Sequence, residues 1–136
     1  MKQHTTNYTN TFIEVAQDCP VSTSQIPPEK KQKTAALLQY EFLAKNAYKY
    51  TSDDLIFNCY VIKNDISDSE KEIERQKFFS KGQPCLRCSS LAKTYGFGFH
   101  HNEDGKVAMV PLESPEYQSF LINDSVKKVK AMRLKK

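Results

Sequence analysis

"YGFGFHHNEDGKVAMVPL", residues 95–112, decides the fold class. Two runs rich in β-formers flank NEDG, a turn sequence whose Gly105 can supply the positive φ that tight loops need. A four-residue loop over 102–105 sets His101 opposite Lys106, His100 opposite Val107, Phe99 opposite Ala108, Gly98 opposite Met109 and Phe97 opposite Val110. Directly opposed residues share a face of the sheet. Phe97, Phe99, Ala108 and Val110 are therefore expected to face the core. His100 then points to the other side, beside Val107 and Met109, and Gly98 leaves a gap over Met109 where another backbone or a ligand can approach.

The hairpin needs partners to bury its apolar face. NTFIEVA (10–16) is short and rich in β-formers, and it reads as a strand. VKAMRL (129–134) offers a further edge strand whose lysines would blunt the edge against aggregation. Helical signals lie between. After Pro27 and Pro28, Glu29–Ala47 reads as a helix with Ala36, Leu37, Tyr40, Leu43, Ala44 and Ala47 on one face. Lys30, Lys31 and Lys33 fall on its solvated first turns.

The stretch 54–63 is ambiguous. Thr51 and Asp54 have N-cap spacing, and Asp53 and Asp54 suit the positive end of a helix dipole. Leu55, Ile56, Cys59, Ile62 and Ile66 fit a helical stripe, yet LIFNCYVI (55–62) is also strand-like. Helix is the favoured reading. Ser67 and Glu70 have capping-box spacing and open a charged helix ending near Phe79. Ser114 and Pro115 open another. The expectation is an α+β fold: a small antiparallel sheet, with strands near 10–16, 95–101, 106–112 and a fourth candidate over 129–134, packed by three or four helices.

Composition sets outer limits. The chain has 136 residues, which suits one domain over 1–136 with a basic tail at 127–136. Its net charge of +4 is carried by that tail: Lys127, Lys128, Lys130, Arg133, Lys135 and Lys136 lie there with no acid. Without those six, 14 basic and 16 acidic residues leave −2. A nucleic-acid binder would more often spread positive charge along a face. A solvated terminus is thus the first reading of the tail, and nucleic-acid contact the alternative. No run approaches about 18 apolar residues, so no membrane span is expected. The polar start MKQHTTNYTN lacks an apolar h-region, which points to a cytoplasmic protein with four reduced cysteines.

Chemistry concentrates between the charged helix and the hairpin. Cys85 and Cys88 have zinc-ligand spacing, but a Cys₂His₂ finger needs its histidines three to five residues apart. His100 and His101 are adjacent and point to opposite faces of a strand. No cofactor is expected, and structural zinc is the disfavoured alternative. Lys81, Arg87 and Lys93 are near Cys85 in sequence, and positive charge favours a thiolate. A thiol-dependent enzyme using Cys85 is thus an alternative, although the βαβ setting of a thioredoxin-type pair is missing. The favoured site is a pocket for a small or anionic ligand, or a protein partner. Its donors are Lys81, Arg87, Ser89 and Lys93, with Ser89 or Ser90 capping a short helix and with Tyr95 and His100 lining the same cleft. Asp53 and Asp54 are read as helix caps, not as a catalytic pair.

HTTNY (4–8), NTFIEVAQDCP (10–20), YTSDDLIF (50–57), FFSKGQPCLR (78–87), YGFGFH (95–100) and AMR (131–133) together resemble a family of small, mostly bacterial proteins. It is catalogued as a domain of unknown function, number six-one-five-seven. The likeness spans His4 to Arg133. It implies a stand-alone domain of about this length and carries no reaction, cofactor or catalytic residue. Several matching stretches are polar pieces that a core alone would not demand.

Overall fold

The computed structural model describes residues 2–135; Met1 and Lys136, the last residue of the basic tail, lie outside the described residues. The chain runs β1 (Thr11–Glu14), α1 (Ala35–Lys45), α2 (Ser52–Lys63), a 3₁₀ turn (Asp68–Glu70), α3 (Lys71–Phe79) and a second 3₁₀ turn (Leu86–Cys88). It continues through α4 (Ser90–Lys93), β2 (Phe97–His101), β3 (Val107–Pro111), α5 (Pro115–Ile122) and β4 (Lys127–Lys130). Over the described residues the fold is α+β: one four-stranded sheet in the order β3-β2-β1-β4, packed by five helices rather than three or four.

The sheet is mixed, not antiparallel throughout. β2 runs antiparallel to β1 and β3, but β4 lies parallel to β1. The cause is the connection. A tight hairpin reverses the chain, whereas a crossover helix returns it in the same direction. α5 carries the chain from the β3 edge across one face to the opposite edge, where β4 pairs with β1. That strand is 127–130 rather than 129–134. Ala131 N–H still donates to Glu14 O at 2.9 Å, but Met132 N–H turns away to Arg87 O at 2.8 Å.

The hairpin forms with a register one residue from that expected. His101 pairs with Val107, His100 with Ala108, Phe99 with Met109, Gly98 with Val110 and Phe97 with Pro111. Asn102 decides this. Its N–H donates to Lys106 O at 2.9 Å and its Oδ1 accepts from Lys106 N at 2.9 Å, so only 103–105 form the loop. Gly105 takes φ 76°, as a three-residue loop ending in a bulge requires. A one-residue shift exchanges faces. The exchange falls on β3: Val107 joins Phe97, Phe99 and the buried His101 on the side of Ile13, Leu43, Leu55, Leu86 and Leu91, while Ala108 and Val110, expected there, turn to the His100 side. Phe12 and Val110 face the other side, under Tyr117 and Val126. Each fully buried Leu, Val or Phe contributes roughly 1.5–3 kcal/mol before ordering entropy is subtracted.

Local signals fix the helices. Thr34, not the proline pair, caps α1: its Oγ1 accepts from Leu37 N at 3.2 Å. The helix is therefore shorter than 29–47, with Leu38 in the core and Ala44 and Ala47 outside. In α2, Thr51 Oγ1 accepts from Asp54 N at 3.1 Å and Asp54 Oδ2 accepts from Thr51 N at 3.3 Å. This closed capping box settles 52–63 as helix. The Ser67–Glu70 box does not form, because a 3₁₀ turn occupies 68–70 and α3 begins at Lys71. Ser114 caps α5 as its sequence predicts, accepting from Tyr117 N at 3.2 Å.

Candidate functional site

The N-terminal segment crosses the start of α2 and is tied there by one carboxylate. Asp53 Oδ1 accepts from Thr6 N and Thr6 Oγ1, each at 2.7 Å, and Oδ2 accepts from Thr5 Oγ1 at 2.7 Å. Asp53 N–H donates to Asn7 Oδ1 at 2.9 Å. Capping falls to Asp54 alone, which corrects the reading of both acids as caps. Two residues further, Tyr8 OH and Cys85 Sγ lie 3.3 Å apart. Burial, and then the bond to Cys85, push the Tyr8 phenol up to about 12.

Cys85 opens the 3₁₀ turn, with Cys88 N–H donating to Cys85 O at 2.9 Å. Both cysteines line a 250 Å³ cleft against Ala36, Gln39 and Ile56. Ser89 belongs to this side. Its hydroxyl donates to Gln39 Oε1 at 2.6 Å and accepts from Leu91 N at 3.2 Å, which caps the four-residue α4 and leaves Ser89 buried and engaged. The other face of the turn meets β4. Arg87 Nε donates to Lys130 O at 2.7 Å, which fixes the guanidinium across the end of the sheet edge.

Between them lies a groove of about 520 Å³ lined by Gln17, Arg87, Cys88, Lys93, Lys130, Ala131, Met132, Arg133 and Lys135. Five of these nine are cations and none is an acid. Asp18 ties down the tail: its oxygens accept from Leu134 N at 2.8 Å and Lys135 N at 2.9 Å. Those two backbone bonds hold its carboxyl below the usual range. They also pin the tail, where Ala131, Met132, Arg133 and Lys135 wall the groove. Among the described residues, ion pairs join Lys33 to Glu41, Lys71 to Asp68, Arg75 to Asp54 and Lys77 to Glu74, and none involves a groove cation.

The remaining expected residues do not join this groove. Lys81 is exposed beyond α3. Tyr95 packs at the edge of the main core and its carbonyl accepts from Gln25 N at 2.8 Å. His100 lies on the α5 face, stacked on Phe120 with ring centroids 4.1 Å apart, and its Nδ1 is 2.8 Å from Tyr48 OH. Tyr48 holds φ 59°, a left-handed backbone rare for an aromatic residue. Burial lowers the His100 pKa and raises that of Tyr48. The shared cleft of Arg87, Tyr95 and His100 is therefore not formed. The gap at Gly98 is also filled: a Cβ there would lie 2.8 Å from Ile13 O and 2.8 Å from Phe12 Cζ.

His101 is fully buried in the main core, and neither ring nitrogen has a hydrogen-bond partner. Burial pulls its pKa down to about 4, although the backbone of Thr11 and Phe99 leans the other way. Among the described residues, no group of three or more His, Cys, Asp or Glu is arranged to hold a metal ion. No helix there is long and apolar enough to cross a membrane.

A family model described as a family of unknown function, DUF6157, matches residues 3–136. The chain belongs to this family. No curated protein and no solved structure matches it. In this DUF6157 protein, the groove unites two sequence regions that look unrelated along the chain. Arg87 and Lys93 stand out as donors from the sequence. Lys130, Arg133 and Lys135 read there as tail charge, and only the β1–β4 pairing brings them alongside. Tyr8 beside Cys85 and Tyr48 beside His100 carry no signal in the sequence, whereas Cys88 is visible there only as the second cysteine of a zinc-spaced or thioredoxin-type pair. The one local hint for the tail is its alternation, with Val129 and Ala131 set between Lys128, Lys130 and Met132.

Proposed function

We propose that this protein binds a small anion, a phosphate- or carboxylate-bearing molecule, in the groove between the 85–93 connection and β4. The observation that carries the reading is the convergence of five cations on one groove without a lining carboxylate. Like charges crowded together repel, and an anion relieves that repulsion while gaining charge-assisted hydrogen bonds. Arg87 is suited to the role. Its Nε is committed to Lys130 O, so its terminal nitrogens are held in place with little further entropy to lose. Ala131, Met132 and Cys88 supply an apolar wall for the body of a ligand.

Inorganic phosphate and pyrophosphate titrated into the isotopically labelled full chain test this. Saturable shifts should centre on Arg87, Lys93 and 130–135, weaken with added salt, and weaken at least tenfold in Arg87→Gln/Lys93→Gln. Lys81→Gln, outside the groove, should leave them unchanged. Absence of saturation, or equal binding by the double variant, would refute the reading. A single-stranded oligonucleotide run in parallel addresses nucleic-acid contact through the tail. Binding far tighter than that of pyrophosphate, with a steep salt slope, would favour that alternative.

A further inference from the structure

We infer that Cys88 and Cys85 form a thiol–disulfide exchange pair whose partner is a small disulfide carrying negative charge, with Cys88 attacking and Cys85 resolving. The inference rests on the groove reading for the charge of the reagent. Its first support is geometric. The Cys88 N–H to Cys85 O bond closes a turn, and such a turn brings its first and fourth Cα atoms within about 7 Å. A disulfide needs Cα atoms roughly 4.4–6.8 Å apart. Both cysteines also line the same cleft.

The second support is the division of environments. Cys88 is exposed and lines the cationic groove as well as the cleft. Cys85 is half-buried, and its sulfur is engaged by Tyr8 OH. An incoming reagent therefore meets Cys88 first. Arg87, Lys93 and Lys130 line the same groove as Cys88 and favour a reagent bearing carboxylates. The two remaining cysteines lie apart from the pair: Cys59 is buried and its thiol is pushed up to about 12 by burial, and Cys19 is in neither lining.

The electron balance is closed by the reagent itself. The Cys88 thiolate attacks one sulfur of the small disulfide; its S–S bond breaks, and one thiolate leaves and takes the proton that Cys88 released. The Cys85 thiolate then attacks the Cys88 sulfur. The mixed disulfide breaks, and the second small thiolate leaves with the proton from Cys85. Two protein thiols lose two electrons to one disulfide, which becomes two thiols.

The test treats the reduced full chain with oxidised glutathione, as the anionic probe, or with 2-hydroxyethyl disulfide, as the neutral one. Acid quenching, alkylation and peptide mass spectrometry follow. Wild type should accumulate the Cys85–Cys88 disulfide without a lasting adduct. Cys85→Ser and Cys85→Ala should both trap glutathione on Cys88, and Cys88→Ser should react at least tenfold more slowly. Arg87→Gln/Lys93→Gln should slow the glutathione reaction roughly tenfold more than the neutral one, as expected for lost steering of an anion. No 85–88 disulfide with either probe, trapping on Cys85 instead of Cys88, or a rate indifferent to the groove charges would overturn the inference. Phosphate titration of Cys88→Ser, which keeps every groove cation, separates the two readings. Retained phosphate binding without exchange in wild type removes the exchange pair alone. Exchange without phosphate binding removes the anion groove and, with it, the selection for charge.

Discussion

Two polar regions of this molecule are built on opposite terms. Where the N-terminal segment crosses α2, Asp53 accepts three hydrogen bonds within 2.7 Å and its backbone N–H is taken by Asn7. In the groove beside β4, five cations gather with no carboxylate in the lining. The first region spends its polarity on holding the fold. The second leaves charge over, at some cost to stability, and unspent charge is what a ligand can use. A run of polar residues is therefore not evidence of a site by itself. HTTNY and TSDD, both polar, close on each other and leave little for a ligand.

The largest expected effect breaks the first region. Asp53→Ala removes the acceptor of three bonds and strands the buried Thr6 N–H. Charge-assisted bonds contribute about 1.5–3 kcal/mol each and are not additive, so a loss of roughly 3 kcal/mol is expected. It should show as a lower urea midpoint at unchanged slope. Phosphate binding at the groove, judged at a urea concentration where the variant is folded, should persist. A loss below about 1 kcal/mol would mean that the strap is incidental.

His101 gives the next effect, of opposite origin: a polar group that nothing satisfies. Its folded pKa, about 4, lies below the ordinary 6.5. Above the unfolded value both states hold a neutral ring, and the histidine adds no pH dependence. As pH falls from about 6.5 to 4 the unfolded chain binds a proton that the folded chain refuses, so stability declines by on the order of 3 kcal/mol across that window. Below it no more is lost from this group. Denaturant curves at pH 7.5 and 4.5 for wild type and His101→Leu isolate the effect. The variant should match wild type within roughly 1.5 kcal/mol at the higher pH, since no partner is orphaned, and should lose clearly less at the lower. Parallel losses would show that the ring finds a partner or water.

These two residues also mark what the sequence made legible. The caps at Thr51 and Ser114 and the hairpin at 95–112 are local features, and local chemistry announces them. The hairpin's register is not: it turns on the Asn102 side chain spanning to Lys106 N, which shortens the loop by one residue and exchanges the faces. Hence the opposed histidines, and His101 on the core side with Phe97 and Phe99, are legible, but not that Val107 joins them while Ala108 and Val110 turn to the His100 side. The parallel pairing of β4 depends on where α5 lands, so no local pattern predicts it. For the same reason Arg87 and Lys93 are visible as donors while Arg133 and Lys135, on the same groove, are not. Asp53 meets Thr5 and Thr6 across 47 or 48 positions, a pairing that leaves no periodicity to read.

A smaller effect tests the close approach of β1 at Gly98. Gly98→Ala would place Cβ 2.8 Å from Ile13 O, a backbone atom that cannot swing aside. Overpacking of this kind costs about 1–3 kcal/mol. A neutral outcome in thermal unfolding would show that Phe12 is not seated over Gly98.

The smallest effect on stability should come from the groove, and there the comparison is sharpest. Lys130 and Lys135 are exposed, and among the described residues neither takes part in a named ion pair. Lys130→Gln/Lys135→Gln should shift stability by no more than about 0.5 kcal/mol, and upward at low salt, where like charges repel most. Ligand linkage should invert the order. A ligand that binds only the folded state stabilises it by about 2.7 kcal/mol at a hundredfold excess over its Kd. Pyrophosphate should therefore raise the wild-type midpoint well above that of the double variant, whereas in its absence the two nearly coincide. If pyrophosphate raised both midpoints equally, the leftover charge would be surface charge and nothing more.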